Sequence, residues 1–283
     1  MVRGFSISTR RHIAIFDSGL GGLTVTRAIC ELLPNEDIVY LADTARVPFG
    51  TKSPRTIARF ALQACSFLMR FDPKLVVVAC NTVSAVALDE LREKIGVELI
   101  GVLEPGAAEA VRCSKTSRIG VIATEATVNS RSYEKAIKAL KPDAQVFTKA
   151  CGLLVPIVEE GLGCDDPITR LVLQRYLYPL KKHGVDCLLL GCTHYPLLRK
   201  AIEEEMGPGV AVVDSATCTA TAVKLFLQQR ALLSPNGSVP ERIFYSTDSP
   251  ARFARLGTGF FGATIDTVYL AYTDDSTTPR SSL

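Results

Sequence analysis

A chain of 283 residues, 47% hydrophobic and 22% charged, has ample material for one large globular domain or two smaller ones. Its net charge of +3 is small, and its Lys and Arg residues are scattered rather than run together, which argues against a nucleic-acid footprint or a membrane-binding face. No apolar run approaches transmembrane length and residues 1–11 lack a signal-peptide core, so the expectation is a cytoplasmic protein.

Residues 1–11 read as a terminal arm. The first strand is expected over residues 12–16 (HIAIF), running into Asp17-Ser18-Gly19-Leu20-Gly21-Gly22 and then a helix start. Such a turn can bring backbone N–H groups and a helix amino terminus to an anion. Its GLGG spacing is not that of a dinucleotide loop. Asp17 reads either as a cap or turn carboxylate, or as a carboxylate at the mouth of a site tuning a neighbouring thiol.

A second strand over 37–41 leads into a loop ending in Pro48-Phe49-Gly50. A long amphipathic helix is expected over 53–70, with Ile57, Phe60, Ala61, Ala64, Phe67 and Leu68 at helical spacing. Residues 75–84 (LVVVACNTVS) form an apolar strand ending in Cys80-Asn81-Thr82. A helix through 85–94 and a short strand over 97–102, stopping at Glu104-Pro105-Gly106, follow.

The pattern then restarts. Residues 118–122 (RIGVI) enter the polar turn Ala123-Thr124 much as the first strand enters Asp17-Ser18. A helix near 132–140, a strand over 145–149, the segment Cys151-Gly152-Leu153-Leu154-Val155-Pro156 and a helix over 166–182 lead to residues 187–196 (CLLLGCTHYP). Here a buried-strand run again ends at a thiol, Cys192, followed by Thr193 and His194. The offset from Asp17 to Thr124 nearly equals that from Cys80 to Cys192, which points to an internal duplication of βα units with mostly parallel sheets. A strand over 210–213, a helix over 217–229, an exposed loop over 233–241, a strand over 242–247 and a polar tail beyond Thr273 complete the chain.

Open α/β sheets place ligands beyond the carboxyl ends of their strands, so Cys80 and Cys192 are positioned to face one ligand. Inverting a stereocentre by proton transfer needs an acid or base on each side of the carbon, and two cysteines supply chemically alike groups that titrate near neutrality with modest tuning. His194 and Asp17 are placed to assist one thiol each. Ser18, Asn81, Thr82 and Thr193 are neutral donors that can hold carboxylates without a metal. No lysine stands in an obvious cofactor-binding context. Taken singly, either cysteine reads as a buried structural thiol; their place in matched motifs reverses that reading. Cys187, Cys192 and His194 lack a fourth partner and the usual zinc spacing. The nine cysteines are odd in number, which does not suit a disulfide framework.

DSGLGGLTV (17–25), VVACNT (77–82), ACGLLVPIVEEG (150–161) and LGCTHYPLL (190–198), in that order, resemble the glutamate racemases. The resemblance runs from about residue 12 to 230. It implies an α/β fold of two pseudo-symmetric domains, each a mostly parallel sheet flanked by helices, facing across a central cleft. The first domain would comprise 1–104 plus 214–283 and the second 105–213. It implies cofactor-independent interconversion of L- and D-glutamate for peptidoglycan synthesis, with no metal, commonly as a homodimer. Cys80 and Cys192 would be the acid/base thiols, with Asp17 assisting Cys80, and Glu159 and His194 assisting Cys192. Substrate would be held by Asp17, Ser18, Phe49, Gly50, Asn81, Thr82, Thr193 and His194. Phe49 departs from the usual Pro-Tyr-Gly turn, Val83 stands where Ala is more usual, and Gly152 replaces a common Pro.

Two alternatives compete: a relative acting on aspartate or a hydantoin, or using one thiol for decarboxylation, and a non-catalytic protein that binds an acidic metabolite or partner in the same cleft.

Overall fold

The computed structural model describes residues 11–273. The expectations for the amino-terminal arm (residues 1–10 of it) and for the tail after Thr273 lie outside the described residues. In chain order the elements begin with β1 (Ile13–Asp17), α1 (Leu23–Leu32), β2 (Ile38–Ala42), α2 (Pro54–Leu68) and β3 (Leu75–Val78). They continue with α3 (Asn81–Val86), α4 (Leu88–Lys94), β4 (Leu99–Gly101), α5 (Leu103–Cys113), β5 (Arg118–Ala123), α6 (Glu125–Ser130) and α7 (Ser132–Leu140). Next come β6 (Gln145–Ala150), α8 (Leu154–Glu159), α9 (Pro167–Lys182), β7 (Cys187–Gly191), α10 (Arg199–Met206) and β8 (Ala211–Asp214). The last elements are α11 (Ser215–Gln229), β9 (Arg242–Ser246), α12 (Pro250–Phe261) and β10 (Val268–Leu270).

The strands form two parallel sheets, ordered β10-β9-β2-β1-β3-β4 and β6-β5-β7-β8. The second order repeats the last four strands of the first, strand for strand: β5 stands for β1, β6 for β2, β7 for β3 and β8 for β4. The central strands read as unbroken apolar runs because helices cover both faces, and every residue of β1, β2, β3 and β7 is buried. In each half the third strand pairs with the first in register, Ile13 with Leu75 and Ile119 with Cys187. Among the described residues no helix is long and apolar enough to cross a membrane.

Helix starts follow their local chemistry. Ser53 accepts from the Thr56 N–H at the head of α2, and Asp166 from the Ile168 N–H at the head of α9, each with Pro as the next residue. Two sequence expectations need correction, and one stretch carried none. The helix placed over 85–94 is two short helices that break at Ala87, the first starting at Asn81 directly after Cys80. Glu104-Pro105-Gly106 is not a turn but the first turn of α5, where the missing proline N–H would have had no intrahelical partner. The stretch after residue 247 holds α12 and β10; two glycines masked that helix, and one of them, Gly257, allows close packing, since a Cβ there would lie 2.9 Å from Leu23 Cδ1 on α1.

Candidate active site

Because each sheet is parallel, all its carboxyl ends open on one edge. Asp17 closes β1, Cys80 lies two residues past β3, Thr124 follows β5 and Cys192 follows β7. A cavity of about 500 Å³ is lined by residues from both edges. Cys80 and Cys192 share it with Ser18, Phe49, Gly50, Asn81, Thr82, Glu159, Thr193 and His194. Asp17 is buried below this lining rather than in it.

On one side, the Ser18 hydroxyl lies 3.4 Å from Cys80 Sγ. Burial, and then the charge of Asp17, push the Cys80 thiol up to about 12. The Asp17 carboxyl is itself held above its usual range by burial, against the pull of the Gly19 N–H, which donates to Oδ2 at 2.8 Å. The anion that the glycine-rich turn receives is therefore this protein's own carboxylate. Gly22 is held there by space, since a Cβ would lie 2.4 Å from Asp17 Cβ. The buried Tyr40 hydroxyl fixes the same turn by donating to the Gly19 carbonyl at 2.8 Å.

On the other side, His194 bridges two groups. Its Nδ1 lies 3.9 Å from Cys192 Sγ and its Nε2 lies 3.1 Å from Glu159 Oε1, at the end of α8. Burial alone would lower the imidazole, but the hydrogen bonds to Cys192 and Glu159 raise it to about 10. In return the His194 hydrogen bond holds Glu159 below the usual carboxylate range. The edge of Phe260, from α12, packs on the imidazole ring with centroids 5.2 Å apart. The two thiols thus sit in unlike surroundings, one beside a buried carboxyl, the other beside an imidazole–carboxylate pair.

Phe49 lines the cavity but is almost wholly buried, its ring packed against those of Phe16 and Phe60 with centroids 6.5 and 5.8 Å away. Gly50 is required by close approach, since a Cβ there would lie 2.7 Å from Thr124 Cβ. Across the cleft, the Thr82 and Thr124 hydroxyls are 2.9 Å apart, and Thr124 reaches Thr127 at 2.9 Å. Asn81 contacts the Tyr133 hydroxyl at 2.7 Å and the Ser215 hydroxyl at 3.2 Å. The Thr24 hydroxyl donates to the Thr193 carbonyl at 3.1 Å.

Sequence reasoning did not reach Tyr133, Ser215 or the wall of Ala150, Val155 and Pro156. Thr124 was visible as the counterpart of the Asp17 turn in the duplication. Tyr133 and Ser215 carried no local signal, because their partner lies 52 and 134 residues away.

A doubled βα unit that brings one strand-end thiol from each sheet to a shared cavity is the layout of a two-lobed isomerase. The chain belongs to the Asp/Glu/hydantoin racemase family, whose model matches residues 13–223. Within that family its similarity is to glutamate racemases: the enzyme of that name from Geobacter metallireducens is 48% identical over 92% of this chain and 96% of its own. Two solved structures superimpose closely. A glutamate racemase isoform from Bacillus anthracis does so with a TM-score of 0.89 at 36% identity, over 94% of this chain and 98% of its own. The Francisella tularensis glutamate racemase in complex with D-glutamate gives 0.88 at 36% identity, over 95% and 99%.

Proposed function

We propose that this chain interconverts L- and D-glutamate by two-thiol acid/base chemistry, without a cofactor. The observation that carries this reading is that Cys80 and Cys192, at corresponding strand ends of the two sheets, line one cavity. The similarity to glutamate racemases supports the substrate.

One sulfur, as thiolate, takes the α-proton from one face of the carbon, and the other, as thiol, returns a proton to the opposite face. The stereocentre inverts, the proton count is unchanged, and the two sulfurs exchange protonation states. His194, protonated near neutrality, is the cation beside Cys192, and Glu159 holds it there. Ser18 and Asp17 serve Cys80, whose high thiol value makes it the proton donor in the resting state. Asn81, Thr82, Thr193 and His194, with Ser18 and the Phe49-Gly50 turn, hold the substrate's charged groups.

The product D-glutamate would feed peptidoglycan synthesis in the cytoplasm. The working unit is read as a homodimer, to be checked by solution mass. The first domain is taken as 1–104 with 214–283, and the second as 105–213.

The test follows purified protein with L-glutamate in deuterated water without added cofactor, recording optical rotation and loss of the α-proton signal. Racemisation with deuterium incorporation, lost in Cys80→Ser and in Cys192→Ser, is the expected result. Turnover of aspartate but not glutamate would overturn the substrate assignment. No turnover of either, with acidic ligands still bound, would make the protein a binder.

A further inference from the structure

We propose that Tyr133 and Ser215 are positioning residues: their hydroxyls donate to the Asn81 carboxamide oxygen and so aim the Asn81 N–H groups at a substrate carboxylate. This rests on the glutamate racemase reading and adds to it two residues outside the cavity lining.

Asn81 follows Cys80 directly and lines the cavity, yet its side chain is almost wholly buried. One end of its carboxamide is held by two hydroxyls that are distant from it in sequence. Tyr133, on α7, lies at 2.7 Å, and Ser215, the first residue of α11, at 3.2 Å. The other end has no protein partner among the described residues. As placed, Nδ2 donates to both hydroxyls and Oδ1 is the orphan. A carboxamide's oxygen and nitrogen are distinguished by their hydrogen-bond network, so the chemistry of the partners decides between the two orientations.

That chemistry favours the reverse orientation. The carboxamide oxygen has two lone pairs and accepts from both hydroxyls at once, whereas a nitrogen between them would leave each hydroxyl proton needing another acceptor. Among the described residues, neither the Tyr133 hydroxyl nor the Ser215 hydroxyl has another acceptor. Burial also raises Tyr133 above the usual phenol range, which keeps its O–H intact. With the oxygen so held, the unpartnered end carries two N–H groups. A buried donor without an acceptor is costly, and a carboxylate entering the cavity satisfies it. An oxygen in that place would instead repel the carboxylate.

The three residues come from three separate parts of the chain. α3 follows β3 of the first sheet, α7 lies between β5 and β6 of the second, and α11 begins where the chain leaves β8. The carboxamide is therefore aimed only when these parts are docked as seen here, which links substrate affinity to the closure of the two halves.

The experiment measures kcat, KM and Tm for wild type, Tyr133→Phe, Ser215→Ala, Asn81→Ala and the Tyr133→Phe/Asn81→Ala pair. Loss of carboxylate binding that is equal in ground and transition states raises KM and spares kcat, so Tyr133→Phe should raise KM by about tenfold with kcat within about twofold. Ser215→Ala should do the same more weakly. In the Asn81→Ala background, Tyr133→Phe should add nothing further to KM. A drop in Tm with KM unchanged would make Tyr133 a structural residue only, and additive KM effects in the pair would show that it acts elsewhere; either overturns the proposal. Failure of wild type to racemise glutamate would remove the reading on which it stands, and is separately visible.

Discussion

His194 stands between Cys192 and Glu159, with one ring nitrogen 3.9 Å from the sulfur and the other 3.1 Å from a carboxylate oxygen. The folded imidazole, at about 10, lies above its ordinary 6.5. The folded state thus binds this proton more tightly than the unfolded chain, and the resulting stability is complete below 6.5 and lost as pH rises through about 10. Melting curves across that window should show wild type losing its advantage over His194→Gln toward the alkaline end. The same substitution should lower racemisation by about 10²-fold near neutral pH, the usual scale for one acid/base group. Parallel melting curves at every pH would refute the charge assignment.

Cys80 is buried beside Asp17 and its thiol is pushed up to about 12. Alkylation proceeds through the thiolate, so Cys80 in the ligand-free protein should react far more slowly than a free cysteine at pH 8. Asp17→Asn removes the neighbouring charge and should move the alkylation profile of Cys80 to lower pH. Site-resolved mass spectrometry after timed iodoacetamide exposure measures both. An unmoved profile would assign the shift to burial alone.

Two glycines offer a matched contrast. At Gly21 a Cβ would meet Thr193 Oγ1 at 2.1 Å and His194 Nδ1 at 2.5 Å, while at Gly152 nothing lies within 4 Å. Gly21→Ala should cost about 1–3 kcal/mol by overpacking and reduce activity by displacing His194. Gly152→Ala should leave Tm nearly unchanged. Urea unfolding of the two variants, beside their rates, gives the comparison.

Lys74 and Glu36 form a buried ion pair at the opposite end of the first sheet from the cavity, and Glu36 also accepts from the Ser234 N–H at 2.7 Å. Lys74→Met strands the carboxylate and should destabilise by about 3–5 kcal/mol. Because the pair is remote from the thiols, kcat and KM of the folded fraction should be unchanged. A fall in kcat without a fall in stability would contradict this.

The strands and the two thiols were legible because a parallel strand covered on both faces spells a continuous apolar run, and each run stops at a cysteine. The helix α5 was not, because Pro105 and Gly106 spell a turn unless their place in the first helical turn is known. The GLGG turn was legible as a tight turn but not as a contact: its Gly21 faces Thr193, and only the docking of the two halves reveals why no side chain fits. The partners of Asn81 were hidden for the same reason, being set by tertiary packing rather than by any local pattern.

The backbone repeats itself across the cleft, but the groups behind the two sulfurs do not: a histidine and a glutamate on one side, a serine and an aspartate on the other. For mirror-image substrates the equilibrium constant is one, so in the proposed reaction kcat/KM must be identical in both directions whatever the surroundings. Unequal support can then appear only as kcat and KM rising or falling together. One enantiomer would be held more tightly and released more slowly, its antipode turned over faster at higher concentration. In that reaction the lopsided cleft would let the enzyme respond differently to the abundance of each enantiomer while leaving their final ratio untouched.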